Sequence, residues 1–146
     1  AGKVGPAYCT GVGKAMLAFL PPDHLTRLMP QMAFHRYTPN TLTTPQALDS
    51  ELATIRRAGH SFDREEHEPG IICVSAPILS SRGRVLGALS LTSSTTRTTL
   101  AVLESCAGQV KATAARIADQ AESWRFPGDI APPDQGNGAI LKTFRI

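Results

Sequence analysis

Aromatic side chains are scarce in this chain: five Phe, two Tyr and one Trp among 146 residues. Any core must therefore rest on Leu, Ile, Val, Ala and Met. Charged residues are also sparse, at 18 % against 42 % apolar. That balance excludes an intrinsically disordered chain, which combines high charge with little apolar material. No apolar run approaches the ~20 residues that a membrane-spanning helix needs. No charged segment leading into an apolar run opens the sequence, so no secretory signal is read there. Three cysteines, Cys9, Cys73 and Cys106, form an odd set without recurring spacing. This argues against a disulfide framework and for a reduced, cytoplasmic setting. Basic residues outnumber acidic ones 15 to 12, but no basic tract is present. The densest spots are Arg56 with Arg57, and Arg82 with Arg84 around Gly83. Neither resembles a surface that follows a phosphate backbone, and both read as solvated charge.

What is present suffices for one compact domain, placed at residues 1–125, with an extension over 126–146. Thr10 is a candidate N-cap for a helix over 11–20, which Pro21 closes. Pro22 and Asp23 open a short helix to about Met29. The proline- and threonine-rich stretch 30–44 is a loop. Thr44 and Pro45 form a cap and first helical position. Leu48, Leu52 and Ile55 recur on one face, and Gly59 supplies a C-terminal stop, so a helix spans 45–58. Residues 60–64 alternate weakly. Two β-rich runs, 71–79 and 85–92, flank a turn at Ser81–Gly83 and predict an antiparallel hairpin, with Pro77 marking an edge or bulge. The Ala-rich segment 98–124 predicts one helix whose stripe is Leu100, Leu103, Ala107, Val110, Ala114, Ile117 and Ala121. Residues 139–146 read as a short strand added to a sheet edge. Helices segregated on either side of a hairpin-built sheet define an α+β fold, an antiparallel sheet flanked by helices.

Four features could carry chemistry. Gly11, Val12, Gly13 and Lys14 hint at a phosphate loop. The full pattern requires glycine where Tyr8 stands and Ser or Thr where Ala15 stands, so nucleotide binding is not expected. The glycines at a helix start still offer open N–H groups to a small anion such as a carboxylate, or else merely permit a tight entry turn. Asp63, Glu65, Glu66 and Glu68 crowd around Arg64 and His67. The cluster could serve acid–base or metal chemistry, but a solvated acidic loop is the simpler reading, with Asp63 the best functional candidate. Cys73 lies within an apolar strand. It could be a small buried hydrophobe, a nucleophile with His67 as base, or a metal ligand with His60, His67 or Asp63. The spacing fits no standard zinc pattern, so neither metal nor cofactor is expected. Ser90 and Thr92 alternate with Leu89 and Leu91, which places both hydroxyls on one strand face, toward a polar ligand or toward solvent.

Taken in order, these motifs form a recognisable series. Cys9 to Ala15 comes first, then Thr41 to Thr43, Arg57 to His60 and Asp63 to His67. Gly70 to Pro77 and Gly87 to Thr92 complete it. The series, over about residues 5–122, resembles the effector-binding domain of IclR-type bacterial transcriptional regulators. The resemblance implies a GAF-like antiparallel sheet that senses a small organic acid or aromatic metabolite without catalysis. It implies a homo-oligomer, dimer or tetramer, and no membrane association. DNA contact would come only through a winged helix-turn-helix that this sequence lacks, so the chain reads as a fragment. The implied ligand-binding residues are Gly11, Val12, Asp63, Cys73, Ser90 and Thr92. The first two would give backbone N–H groups to an acid, and Ser90 and Thr92 would give hydroxyls. Asp63 would take a ligand hydroxyl or amine, and Cys73 would line the wall. The alternatives are a cysteine-dependent enzyme using Cys73 and His67, or a ligand-free oligomerisation module.

Overall fold

The computed structural model describes residues 5–123. Thr10 opens helix α1 (Gly11–Ala18): its Oγ1 accepts the Gly13 N–H at 3.3 Å and its carbonyl accepts that of Lys14 at 2.9 Å. These contacts satisfy donors that a first turn otherwise leaves open. Helix α2 (Pro22–Leu28) starts on proline and runs into a 3-10 turn over Met29–Gln31. Helix α3 (Pro45–Ala58) forms where its signals placed it. Thr44 Oγ1 accepts the Ala47 N–H at 3.1 Å, and Gly59 ends the helix in the left-handed region at φ 76°.

Three strands follow in an antiparallel meander: β1 (Ser61–Arg64), β2 (Ile71–Leu79) and β3 (Val85–Ser94), in the order β1-β2-β3. The register puts Ser61 opposite Ser75 and Ser75 opposite Ser90, with Asp63 opposite Cys73 and Cys73 opposite Thr92. Alternation then sorts the side chains. One sheet face is a polar grid of Ser61, Asp63, Cys73, Ser75, Ser90 and Thr92. The other carries Phe62, Ile72, Val74, Ala76 and Leu89. Pro77 sits past the end of β1, whose pairing stops at Ser75, and just before a register shift between Ile78 and Leu79. A residue without an N–H is tolerated at such a one-sided, irregular ladder position.

The single helix expected over 98–124 is in fact two, α4 (Leu100–Ser105) and α5 (Ala107–Ser123), broken at Cys106. The Cys106 N–H turns back to the Leu103 carbonyl at 3.0 Å, and its own carbonyl receives the Val110 N–H at 3.0 Å, so one residue ends a helix and starts the next. The buried stripe is Leu103, Ala107, Val110, Ala114 and Ala118. Ile117, expected within it, is 40 % exposed, because it points ~100° away from Ala118 around the helix.

Helices α4 and α5 cover the apolar sheet face and form one core with Ile72, Val74 and Ala76. A second core lies across the sheet, where α1, α2 and α3 bring together Leu17, Leu25, Leu48, Leu52 and Ile55. The architecture is therefore α+β: a three-stranded antiparallel sheet between two helical layers. The domain boundary at 125 and the strand expected over 139–146 lie outside the described residues. Among those residues no helix is long and apolar enough to cross a membrane.

Candidate functional site

Helix α1 lies with its N-terminus pressed onto the polar sheet face, and the contact is too close for any side chain at Gly11. A β-carbon there would lie 2.4 Å from Cys73 Sγ and 2.5 Å from Ser75 Oγ. The same turn is tied down by Ser61, whose hydroxyl donates to the Gly11 carbonyl at 2.6 Å. Gly13 is equally obligatory, since its β-carbon would meet the Ala7 backbone at 2.4 Å. The glycines thus do create a close approach. The N–H groups of Gly11 and Val12, which the Thr10 side chain does not take, lie in the first turn beside the grid of hydroxyl, thiol and carboxyl groups.

Around this clamp the expected residues fall into two groups. Gly11, Asp63 and Cys73 are brought together and buried. Val12, Ser90 and Thr92 are exposed on the same side of the sheet, the two hydroxyls 3.4 Å apart. The hydroxyl pair, which alternation left facing either a polar ligand or solvent, is exposed: along β3 this face opens to solvent, because α1 spans only part of it.

Asp63 Oδ1 accepts the Glu66 N–H at 2.8 Å. Burial pushes its carboxyl above the usual range, while that N–H and the Lys14 charge pull the other way. The Cys73 thiol is pushed up by burial too, opposed first by its hydrogen-bonding contact with Ser75 Oγ at 3.6 Å. Burial, reinforced by the Asp63 and Glu66 charges, pushes the Cys9 thiol up to about 12. His67 does not partner Cys73; its ring rests on Tyr37, with centroids 4.8 Å apart. Thiols so placed are poor nucleophiles. Iodoacetamide at neutral pH is therefore expected to label Cys106, which is half-buried, and to reach Cys9 and Cys73 only after unfolding. A native Cys73 alkylated as fast as a free thiol would revive the nucleophile reading. Among the described residues no three His, Cys, Asp or Glu side chains converge as a metal site.

Sequence reasoning missed the residues that hold this site in place. Lys14 is completely buried, with Nζ 2.7 Å from both Glu66 carboxylate oxygens and 3.0 Å from Glu51 Oε1. Glu51 also takes Arg64 Nη1 at 3.0 Å, and Glu66 Oε2 takes the Arg64 N–H at 3.1 Å. Thr38 and Thr41 donate to the Glu65 and Glu66 carbonyls at 2.6 Å each. Glu66, read as part of a solvated acidic loop, is instead 3 % exposed. The available signal was a lysine one turn inside an apolar helix, a position that needs a buried carboxylate partner. Ser61 and Ser75 were legible as small polar residues on the same strand faces as Asp63 and Cys73.

Helix α1 is thus clamped by its N-terminus on the polar face of an antiparallel sheet, with helices behind both faces. The comparisons with known proteins are specific. The family model for the bacterial transcriptional regulator IclR C-terminal domain matches residues 1–119, and the chain belongs to that family. It is 39 % identical over 90 residues to the transcriptional regulator BhcR of Paracoccus denitrificans, covering 62 % of this chain and 32 % of that protein. The crystal structure of the Thermotoga maritima IclR superposes with a TM-score of 0.73 at 33 % identity, over 78 % of this chain and 46 % of that one. The inducer-binding domain of the Acinetobacter transcription factor PobR, in a double-mutant complex with 3-hydroxybenzoic acid, superposes at 0.72 and 26 % identity, over 78 % and 66 % of the two chains. The chain spans about a third to a half of the length of the curated relatives it matches.

Proposed function

We propose that this domain binds a small organic acid, aliphatic or aromatic, on the polar sheet face, through Gly11, Val12, Asp63, Cys73, Ser90 and Thr92. The carrying observation is the clamp itself: two first-turn N–H groups of α1 held against a grid of hydroxyl, thiol and carboxyl side chains. The helix terminus favours a carboxylate, and Ser90 and Thr92 add donors. Asp63 would repel a second negative charge, so it suits a hydroxyl or amine elsewhere on the ligand. A hydroxy acid satisfies both ends. The complex of the double-mutant PobR inducer-binding domain with 3-hydroxybenzoic acid supports this class. In the whole regulator the bound acid would change DNA affinity through rearrangement of a homo-oligomer, dimer or tetramer, with DNA held by a separate domain.

Isothermal calorimetry with 3-hydroxybenzoate and a panel of small hydroxy acids tests the site. At least one should bind saturably, and Asp63→Ala and Ser90→Ala should each weaken it about tenfold, the worth of one charge-assisted hydrogen bond. Unchanged affinity in both variants removes the assignment.

A further inference from the structure

A groove lies at the C-terminal end of α1, about 12 Å from its N-terminus by the rise of an eight-residue helix. It exists because β1 begins late. β1 pairs with β2 only as far as Ser75, so among the described residues the stretch from Ala76 to Leu79 has no strand neighbour on that side. The C-terminal turn of α3 stands off from it across a groove of 360 Å³, with Phe19, Pro77 and Leu79 on its apolar walls. That volume is in the range of small-molecule sites.

Three cations surround the groove, Arg56, Arg57 and Lys111, and among the described residues no carboxylate lines it. Among the described residues none of the three forms an ion pair. Arg56 Nη1 donates to the Ala18 carbonyl at 3.3 Å and Lys111 Nζ to the Ala58 carbonyl at 3.1 Å. Arg57 Nη2 donates to Thr54 Oγ1 at 3.2 Å. Each bond uses one donor of a group that has three or five. The negative end of α3 carries about half a charge, which a single cation already offsets. Three cations leave a net positive rim above an apolar floor.

We infer that this groove is a second binding site, and that it takes a small amphiphilic anion: a phosphate or carboxylate head on the Arg56, Arg57 and Lys111 rim, with an apolar body against Phe19 and Pro77. The three heads are exposed, so their replacement leaves the fold intact. The test is a titration of the isotope-labelled chain with phenyl phosphate, followed by amide chemical shifts. Saturable shifts are expected at Gly59, Leu79 and Ala115. Arg57→Gln and Lys111→Gln should each weaken binding about tenfold. Inorganic phosphate should bind more weakly at the same amides. Shifts confined to Gly11, Ser90 and Thr92, no saturation at all, or variants that bind as the parent does would overturn the site. Equal binding of inorganic phosphate would overturn the ligand class.

Discussion

Replacing Lys14 with methionine should lower the unfolding free energy by about 3–5 kcal/mol, the usual consequence of removing one partner of a buried charge pair. The lysine has no exposed surface, so its loss exposes nothing to water that could compensate. Glu51 keeps Arg64. Glu66, 3 % exposed, keeps only the Arg64 N–H. Burial already pushes the Glu66 carboxyl up, and Lys14 is the strongest influence holding it down. Without Lys14 it rises further. A carboxyl with a raised pKa in the folded state favours folding at low pH and loses that contribution as pH rises through the folded value. The deficit of Lys14→Met should therefore be largest near neutral pH and shrink on acidification, as Glu66 takes up a proton. Adding Glu66→Gln should recover part of it, since the uncharged amide costs less to bury than an unpaired carboxylate. Urea unfolding of the single and double variants at neutral and acid pH measures all of this. A deficit that is small, or the same at both pH values, means that Lys14 only fills space.

The helices and strands were legible because local chemistry marks their ends. Thr44, Pro45 and Gly59 bracket α3 by cap, fixed φ and left-handed turn, and the hairpin followed from two β-rich runs around Gly83. The break at Cys106 was not legible, since nothing in an Ala-rich run announces where one helix stops and another begins. For the site, alternation alone put Ser90 with Thr92, Asp63 and Cys73 stood out by residue type and position, and the resemblance added only their ligand-binding role. The pairing of Lys14 with Glu66, 52 residues apart, is a tertiary event. A charged loop reads as solvated until the fold shows that a buried lysine draws one of its carboxylates inward. The openness of the β3 face was also beyond the sequence. Alternation tells which residues share a face but not what covers them.

Gly11→Ala should be the most damaging small substitution for ligand binding. Its methyl would fall 2.4 Å from Cys73 Sγ and 2.5 Å from Ser75 Oγ, so α1 has to lift off the sheet. Lifting stretches the Ser61 hydrogen bond and moves the Gly11 and Val12 N–H groups away from Ser90 and Thr92. Overpacking of this kind costs about 1–3 kcal/mol, and the displaced N–H groups should abolish detectable acid binding. The two obstructing atoms are side-chain ends, so the damage should be curable. Adding Cys73→Ala and Ser75→Ala removes both and should restore most of the stability. Gly13→Ala offers the contrast, because its methyl would strike the Ala7 backbone at 2.4 Å, and no side-chain change can clear that. Thermal unfolding of the Gly11→Ala chain alone and with the paired replacements decides the matter. If the triple variant is no more stable than Gly11→Ala, the glycine is required by its own backbone and not by its fit against the sheet.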